Sequence, residues 1–360
     1  SSDRPGGTLL APARSVGDDH VNGHDLEQRS GRSRHRTRRA ARSRQRGAWA
    51  MNPIPFIDRD ALTRALPMAA AIDTLEAAFA TDDATAPPRS HVDVGGGDLL
   101  LMPAASPAGV GVKLVTVTPG NPARGVDLIH GVYVLFDAET RAPRALIDGA
   151  AMTGLRTAAV SGLATRHLAR TDATRLVVFG AGTQGRAHVT AMRAVRDIAR
   201  VTVVSRTRAR AQTLVDDLSA DGVEANVGTP DSVTAADIVC TCTTSASPVF
   251  DGALLPDGVH INAVGAYQPT ARELDTTTVR RGRLVVEDRE AATAEAGDLA
   301  IPIASGDLAP GDVAADLRQL VTGTTVRRTP DDVTVFKSVG LAIEDLAIAV
   351  AAVEHHGRGG

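Results

Sequence analysis

The run Gly180-Ala181-Gly182-Thr183-Gln184-Gly185 follows an apolar stretch at 176–179 and precedes a segment with Val189, Met192 and Val195 at helical spacing. Glycines so placed allow a tight strand-to-helix turn. They also let a pyrophosphate approach the backbone N–H groups at the helix N-terminus, whose partial positive charge complements it. A second apolar strand at 201–204 follows, and this context favours a dinucleotide-binding βαβ unit over a merely tight turn.

The same rhythm continues through 175–288, where apolar strands at 176–179, 201–204, 224–227, 238–242, 260–264 and 284–287 alternate with helical segments. Alternation of this kind predicts a doubly wound parallel sheet, with its ligand at the C-terminal ends of the strands. Ala181, Thr183, Gln184, Thr243, Thr244, Val264 and Gly265 therefore join the glycines as candidate cofactor residues. Upstream, a helix over 68–79 is followed by short β-rich stretches at 90–94, 99–102, 112–117, 129–136 and 144–147, which predict a separate mixed or antiparallel sheet. Helices over 153–168 and 335–353 connect the two regions, the latter with Val339, Ile343, Leu346 and Val350 on its apolar face. The expected fold is α/β: a Rossmann domain over 166–319, and an α+β substrate-binding and dimerisation domain from 51–165 with 320–356.

At 360 residues and 43% hydrophobic content, the chain can bury two cores. Its net charge of -3 gives no general electrostatic reason to expect nucleic acid or a membrane surface, and no apolar run reaches bilayer length, so the expected setting is the cytoplasm. Cys240 and Cys242 point to neither a disulfide framework nor a metal site. Residues 1–50 carry an arginine run and little to bury, which predicts a disordered extension; a nucleic-acid-binding tail is the alternative.

Two details bear on the site. The second Rossmann strand ends in Ser205-Arg206-Thr207-Arg208, without the carboxylate that would accept ribose hydroxyls, so NADP(H) is favoured over NAD(H); Arg206 as a solvated loop cation is the bland reading. Of 39 basic residues only Lys113 and Lys337 are lysines, which singles out two ammonium groups for chemistry or a tight site, with chance survival as the alternative.

Several motifs, in order, resemble the ornithine cyclodeaminase/mu-crystallin family: Leu101-Met102-Pro103, Val112-Lys113-Leu114-Val115, Asp148-Gly149, Leu155-Arg156-Thr157-Ala158-Ala159, the glycine turn, Ile261-Asn262-Ala263-Val264-Gly265, Arg272-Glu273-Leu274-Asp275, Glu295-Ala296-Gly297-Asp298 and Val335-Phe336-Lys337-Ser338. The resemblance spans about 53–354. It implies an NAD(P)-dependent homodimer in which Arg89, Lys113 and Arg156 hold a substrate carboxylate, His130 faces the nicotinamide and Lys337 lies near the cofactor. A helix-surface or interface cation is the alternative for Arg156, a surface or core histidine for His130, and a structural ion pair for Lys337. The family's cyclodeaminases carry acids where this chain has Tyr267 and Leu100, which disfavours ornithine cyclodeamination. The expected reaction is hydride transfer to a cyclic or acyclic α-imino acid, with Glu295 as proton source or helix cap and Tyr267 or water second. Alanine dehydrogenase-like oxidative deamination of an L-amino acid and non-catalytic binding of a small ligand are the rivals.

Overall fold

The computed structural model describes residues 53–358; residues 1–52, including the segment expected to be disordered, lie outside the described residues. The chain opens with β1 (Phe56–Ile57), α1 (Arg59–Ala65) and α2 (Met68–Ala80). It continues through β2 (Ser90–Asp93), β3 (Asp98–Ser106), β4 (Gly109–Val117), β5 (Ile129–Phe136) and β6 (Pro143–Asp148). These strands form one sheet in the order β1-β6-β5-β4-β3-β2, antiparallel except where β1 meets β6. Along β4 burial alternates residue by residue, with Lys113, Val115 and Val117 on the covered face. That period of two is what a sheet packed on one side demands.

α3 (Gly149–Leu168) then carries the chain to the second layer. There follow β7 (Arg175–Phe179), α4 (Thr183–Val195), β8 (Arg200–Val204), α5 (Arg208–Ala220), β9 (Glu224–Val227), β10 (Ile238–Thr241), β11 (His260–Ala263), α6 (Thr276–Arg281) and β12 (Arg283–Val286). The remainder is α7 (Arg289–Glu295), α8 (Gly297–Ala304), β13 (Val313–Asp316), α9 (Leu317–Val321), β14 (Thr334–Lys337) and α10 (Ala342–Arg358). Eight parallel strands line up as β13-β12-β14-β11-β10-β7-β8-β9. The chain winds outward from β7 to β9 and then returns to β10 on the other side of β7. This reversal opens a crevice at the C-terminal ends of β7 and β10.

α3 is buried around most of its circumference, which its small residues permit. Asp148 caps its start by accepting from the N–H groups of Ala150 and Ala151, both at 2.9 Å. Inside, Ser161 meets His188 at 3.0 Å, and the Thr165 hydroxyl accepts from Asn262 at 2.9 Å. At its end, the Arg196 guanidinium donates to the carbonyls of Thr165, Ala169 and Arg170 at 2.8 to 2.9 Å. A helix of small residues can thus lie between two layers with the Ser161 and Thr165 hydroxyls and its last carbonyls hydrogen-bonded.

The expected helix over 335–353 is corrected: Thr334–Lys337 is a strand inserted between β11 and β12, and the helix begins only at Ala342. Segment 334–337 consequently belongs to the Rossmann sheet: Leu317, Leu320 and Val326 pack against the core of α2 and α3, the chain then re-enters the parallel sheet at β14, and α10 follows after Gly340. No described helix is long and apolar enough to cross a membrane.

Arg196→Met removes the donors at the end of α3 and leaves buried carbonyls unpaired. It is expected to lower the unfolding free energy by roughly 1–3 kcal/mol in urea titrations.

Candidate functional site

Gly180 follows β7 directly with φ +105°, its N–H donating to Val204 O at 2.8 Å. A Cβ there would lie 2.4 Å from Cys242 O, so both the backbone angle and the neighbouring strand require glycine. At Gly182 a Cβ would meet nothing within 4 Å. This residue immediately precedes α4, whose first N–H groups have no side-chain cap. Open space above uncapped amides is what a pyrophosphate needs, and the residues present therefore fit a dinucleotide. A groove of about 230 Å³ continues from this turn along Ser205, Arg206, Thr207, Thr243 and Thr244. Arg210 on α5 also lines it, a second arginine that belongs to no recognisable motif.

Glu273 organises the neighbouring strand ends. Its buried carboxylate accepts from the Thr241 and Thr243 hydroxyls at 2.9 and 2.6 Å and from the Thr243 and Gly265 N–H groups at 2.7 Å. Asp298 in turn accepts from the N–H groups of Glu273 and Leu274, and pairs with Lys337 at 2.8 Å. The Lys337 ammonium also donates to Ala266 O at 2.6 Å. Lys337 is thus a buried strut beneath the turn after β11. Gln184 is similarly engaged, donating to Thr153 O on α3.

Three cations meet where the two layers join. Lys113, on the covered face of β4, lies beside Met102 of β3 and Tyr133 of β5 in register. Its side chain is 2% exposed, and its Nζ stands 2.8 Å from Asp345 Oδ2 and 2.9 Å from Oδ1. Burial lowers its pKa to about 8; Asp345 opposes the shift, while Arg156 and Arg89 reinforce it. Arg156 comes from α3 and contacts Glu344 at 3.1 Å and Asp345 at 3.4 Å. Arg89, just before β2, donates to Val339 O and Gly340 O and pairs with Glu295 at 2.9 Å. Gly340 has φ +81°, and a Cβ on it would lie 2.2 Å from an Arg156 nitrogen, so glycine lets the guanidinium rest against the chain.

The segment joining β14 to α10 is held from the other side by Glu287, which accepts from Ser338 Oγ, Val339 N and Gly340 N. A cavity of about 430 Å³ opens beside Arg89, Met102, Glu295, Gly340 and Leu341. Burial raises the pKa of Glu295, with Arg89 and His91 opposing it. Tyr267 is half-buried; burial and Asp98 raise its pKa, and Arg89 opposes. Leu100 packs with Val115 and Val117, where no acid can act.

His130 does not join this group. It is exposed on β5 and pairs with Thr116, on the face opposite Lys113 and Tyr133. Positions 130 and 133 are an odd number of residues apart, and a strand sends such side chains to opposite faces.

A family model described as the ornithine cyclodeaminase/mu-crystallin family matches residues 58–358. The Delta(1)-pyrroline-2-carboxylate reductase of Bacillus cereus is 38% identical over 262 residues, covering 69% of this chain and 79% of that protein. Among solved structures, the Thermococcus litoralis Delta(1)-pyrroline-2-carboxylate reductase in complex with NADH and L-proline matches with a TM-score of 0.82 at 34% identity, over 85% of this chain and 98% of that one. An archaeal alanine dehydrogenase dimer with bound NAD matches with a TM-score of 0.80 at 31% identity, over 84% and 95%.

Because the space over Gly182 is open, Gly182→Ala is expected to fold with an unchanged melting temperature. It should nevertheless weaken NADPH and NADH binding at least about tenfold, since the added methyl occupies the phosphate approach. Calorimetric titration of both cofactors checks this.

Proposed function

The chain belongs to the ornithine cyclodeaminase/mu-crystallin family, and on that premise we propose that it reduces a cyclic α-imino carboxylate of the pyrroline-2-carboxylate type to the amino acid. It is an NAD(P)-dependent oxidoreductase acting on a carbon–nitrogen bond. The observation that carries the substrate reading is the convergence of Lys113, Arg156 and Arg89 at the junction of the layers. Two guanidinium forks and an ammonium suit an α-carboxylate.

When bound, the reduced nicotinamide supplies the hydride. The chain orients the acceptor and supplies the proton. A substrate carboxylate arriving at Arg89 competes with Glu295 for that guanidinium. Glu295 already has a raised pKa, and losing its cationic partner raises its proton affinity further. It then becomes the acid that protonates the imine nitrogen, with Tyr267, also sensitive to Arg89, as the second donor. The buried Leu100 and the phenol of Tyr267 offer no carboxylate base, which argues against cyclodeamination.

For the cofactor, Ser205, Arg206, Thr207 and Arg210 line the groove beyond β8 without a carboxylate, which supports NADP(H) over NAD(H). We also infer a homodimer through the first sheet, whose outer face presents the part-exposed Val112, Leu114, Val132 and Val134. Leu114→Arg on that face is expected to yield a monomer by light scattering, whereas the unaltered chain runs as a dimer.

Pyrroline-2-carboxylate, its six-membered homologue, and pyruvate with ammonium, each offered with NADPH and NADH, test the reaction. Turnover of a cyclic imine with NADPH is the expected result. Exclusive turnover of pyruvate and ammonium would replace this reading by an alanine dehydrogenase, and ligand binding without any turnover would replace it by a binding protein. Lys113→Ala should cut kcat/KM for the imine at least about 100-fold while leaving cofactor affinity within a factor of two.

A further inference from the structure

One strong interaction at the site has no part in the reaction as described. Lys113 and Asp345 are 232 residues apart in sequence, yet the ammonium of one meets both oxygens of the other in a region closed to solvent. The same Asp345 carboxylate stands 3.4 Å from Arg156 Nε, so a single side chain spans two of the three cations and fixes their separation. Every other influence on Lys113 works against its charge. Burial strips its hydration, and Arg156 on α3 and Arg89 ahead of β2 repel it. Tyr133 on β5, whose pKa is raised by burial and by Asp345, brings no negative charge. Glu344 on α10 is pushed far above the ordinary carboxylate range by burial and by Glu287, and its contact is to Arg156. Asp345 alone among these groups favours the ammonium.

We propose that Asp345 is the positioning residue of the carboxylate clamp: it keeps the Lys113 side chain protonated and fixed beside Arg156, so that the C-terminal helix sets the pH range in which the clamp holds substrate. This inference rests on the imine-reductase reading for its consequence, and on the geometry of α10 against β4 and α3 for its cause. Because a charged Lys113 is needed, substrate capture is present below the Lys113 pKa of about 8 and is lost as pH rises through it. Removing the carboxylate moves that limit to lower pH.

The chain has only two lysines, which makes a direct test simple. Full-length protein labelled with carbon-13 at the lysine Cε gives two resonances, and Lys113→Arg identifies the one belonging to Lys113. The expected midpoint is near 8 in the unaltered chain and at least one unit lower in Asp345→Asn. The basic limb of kcat/KM for pyrroline-2-carboxylate should move with it. The loss should be at least about fivefold at pH 8 and under about threefold at pH 6. An unmoved Lys113 midpoint, or an equal loss at both pH values, overturns the proposal. Should Asp345→Asn fail to fold, Asp345→Glu serves: it should hold the midpoint within half a unit while raising KM for the imino acid several-fold at unchanged kcat, and an unaltered KM overturns the positioning role. Absence of imine turnover by the unaltered chain would defeat the functional reading alone, because the lysine titration is read without substrate.

Discussion

Burying three cations at one point is the constraint around which the rest of the molecule is arranged. Taking an ion out of water costs several kcal/mol even after relaxation, and neighbouring like charges add to that. Arg89, Lys113 and Arg156 come from three separate elements of the first layer and its connecting helix, and none of those elements supplies the opposing carboxylates. Those come from Glu295 at the end of α7 and from Glu344 and Asp345 in the first turn of α10. The C-terminal helix must therefore return to the first layer after the Rossmann sheet is complete. The turn at Gly340, tied by Glu287 from one side and by Arg89 from the other, is where it does so.

The nucleotide crevice is built on a different principle. Its shape comes from glycine, where a Cβ would strike Cys242 O or fill the approach to α4, and from Glu273, which gathers the ends of β10 and β11. No group of opposed buried cations is needed there, because backbone amides and a helix terminus provide the positive potential. The two halves of the site thus differ in kind. One is a backbone cradle readable from a local motif, and the other is a long-range charge assembly.

That difference explains what could be read in advance. The glycine turn, the alternating strands and the β-rich first region are local patterns, and the strands over 129–136 and 224–227 coincide with β5 and β9. β14 is hidden because its Val335 and Phe336 extend the apolar spacing of the helix that follows, with no turn signal strong enough to part them. Lys113 stood out through the scarcity of lysine, but Asp345 did not. An acid in the first turn of a helix is ordinary, since it favours the helix dipole, and nothing local indicates a partner 232 positions away. His130 enters through the resemblance; strand parity sets it opposite Tyr133, and only the register of β4 against β5 sets it opposite Lys113 as well. Glu273 falls within a motif of the resemblance that assigns it no role, and Glu287 in none; both bind backbone or loop groups brought together only in the folded chain, so spacing gives no sign of what they do.

The charge assembly also bears on why a reductase of this design would tolerate so little carboxylate chemistry of its own. Of the carboxylates facing the three cations, Asp345 is closed off from solvent, and Glu344 is driven toward its neutral form. Glu295 is the exposed member, 24% open against 0% for the other two, and Arg89 is its partner. In the proposed reaction that asymmetry selects the pair that exchanges: a substrate carboxylate can replace Glu295 at the cavity wall without uncovering a deeply buried charge. On that proposal the displaced acid is the group that hands a proton to the imine nitrogen. The inner pairs hold the geometry while the outer pair opens, and binding and proton supply become consequences of one exchange of carboxylates.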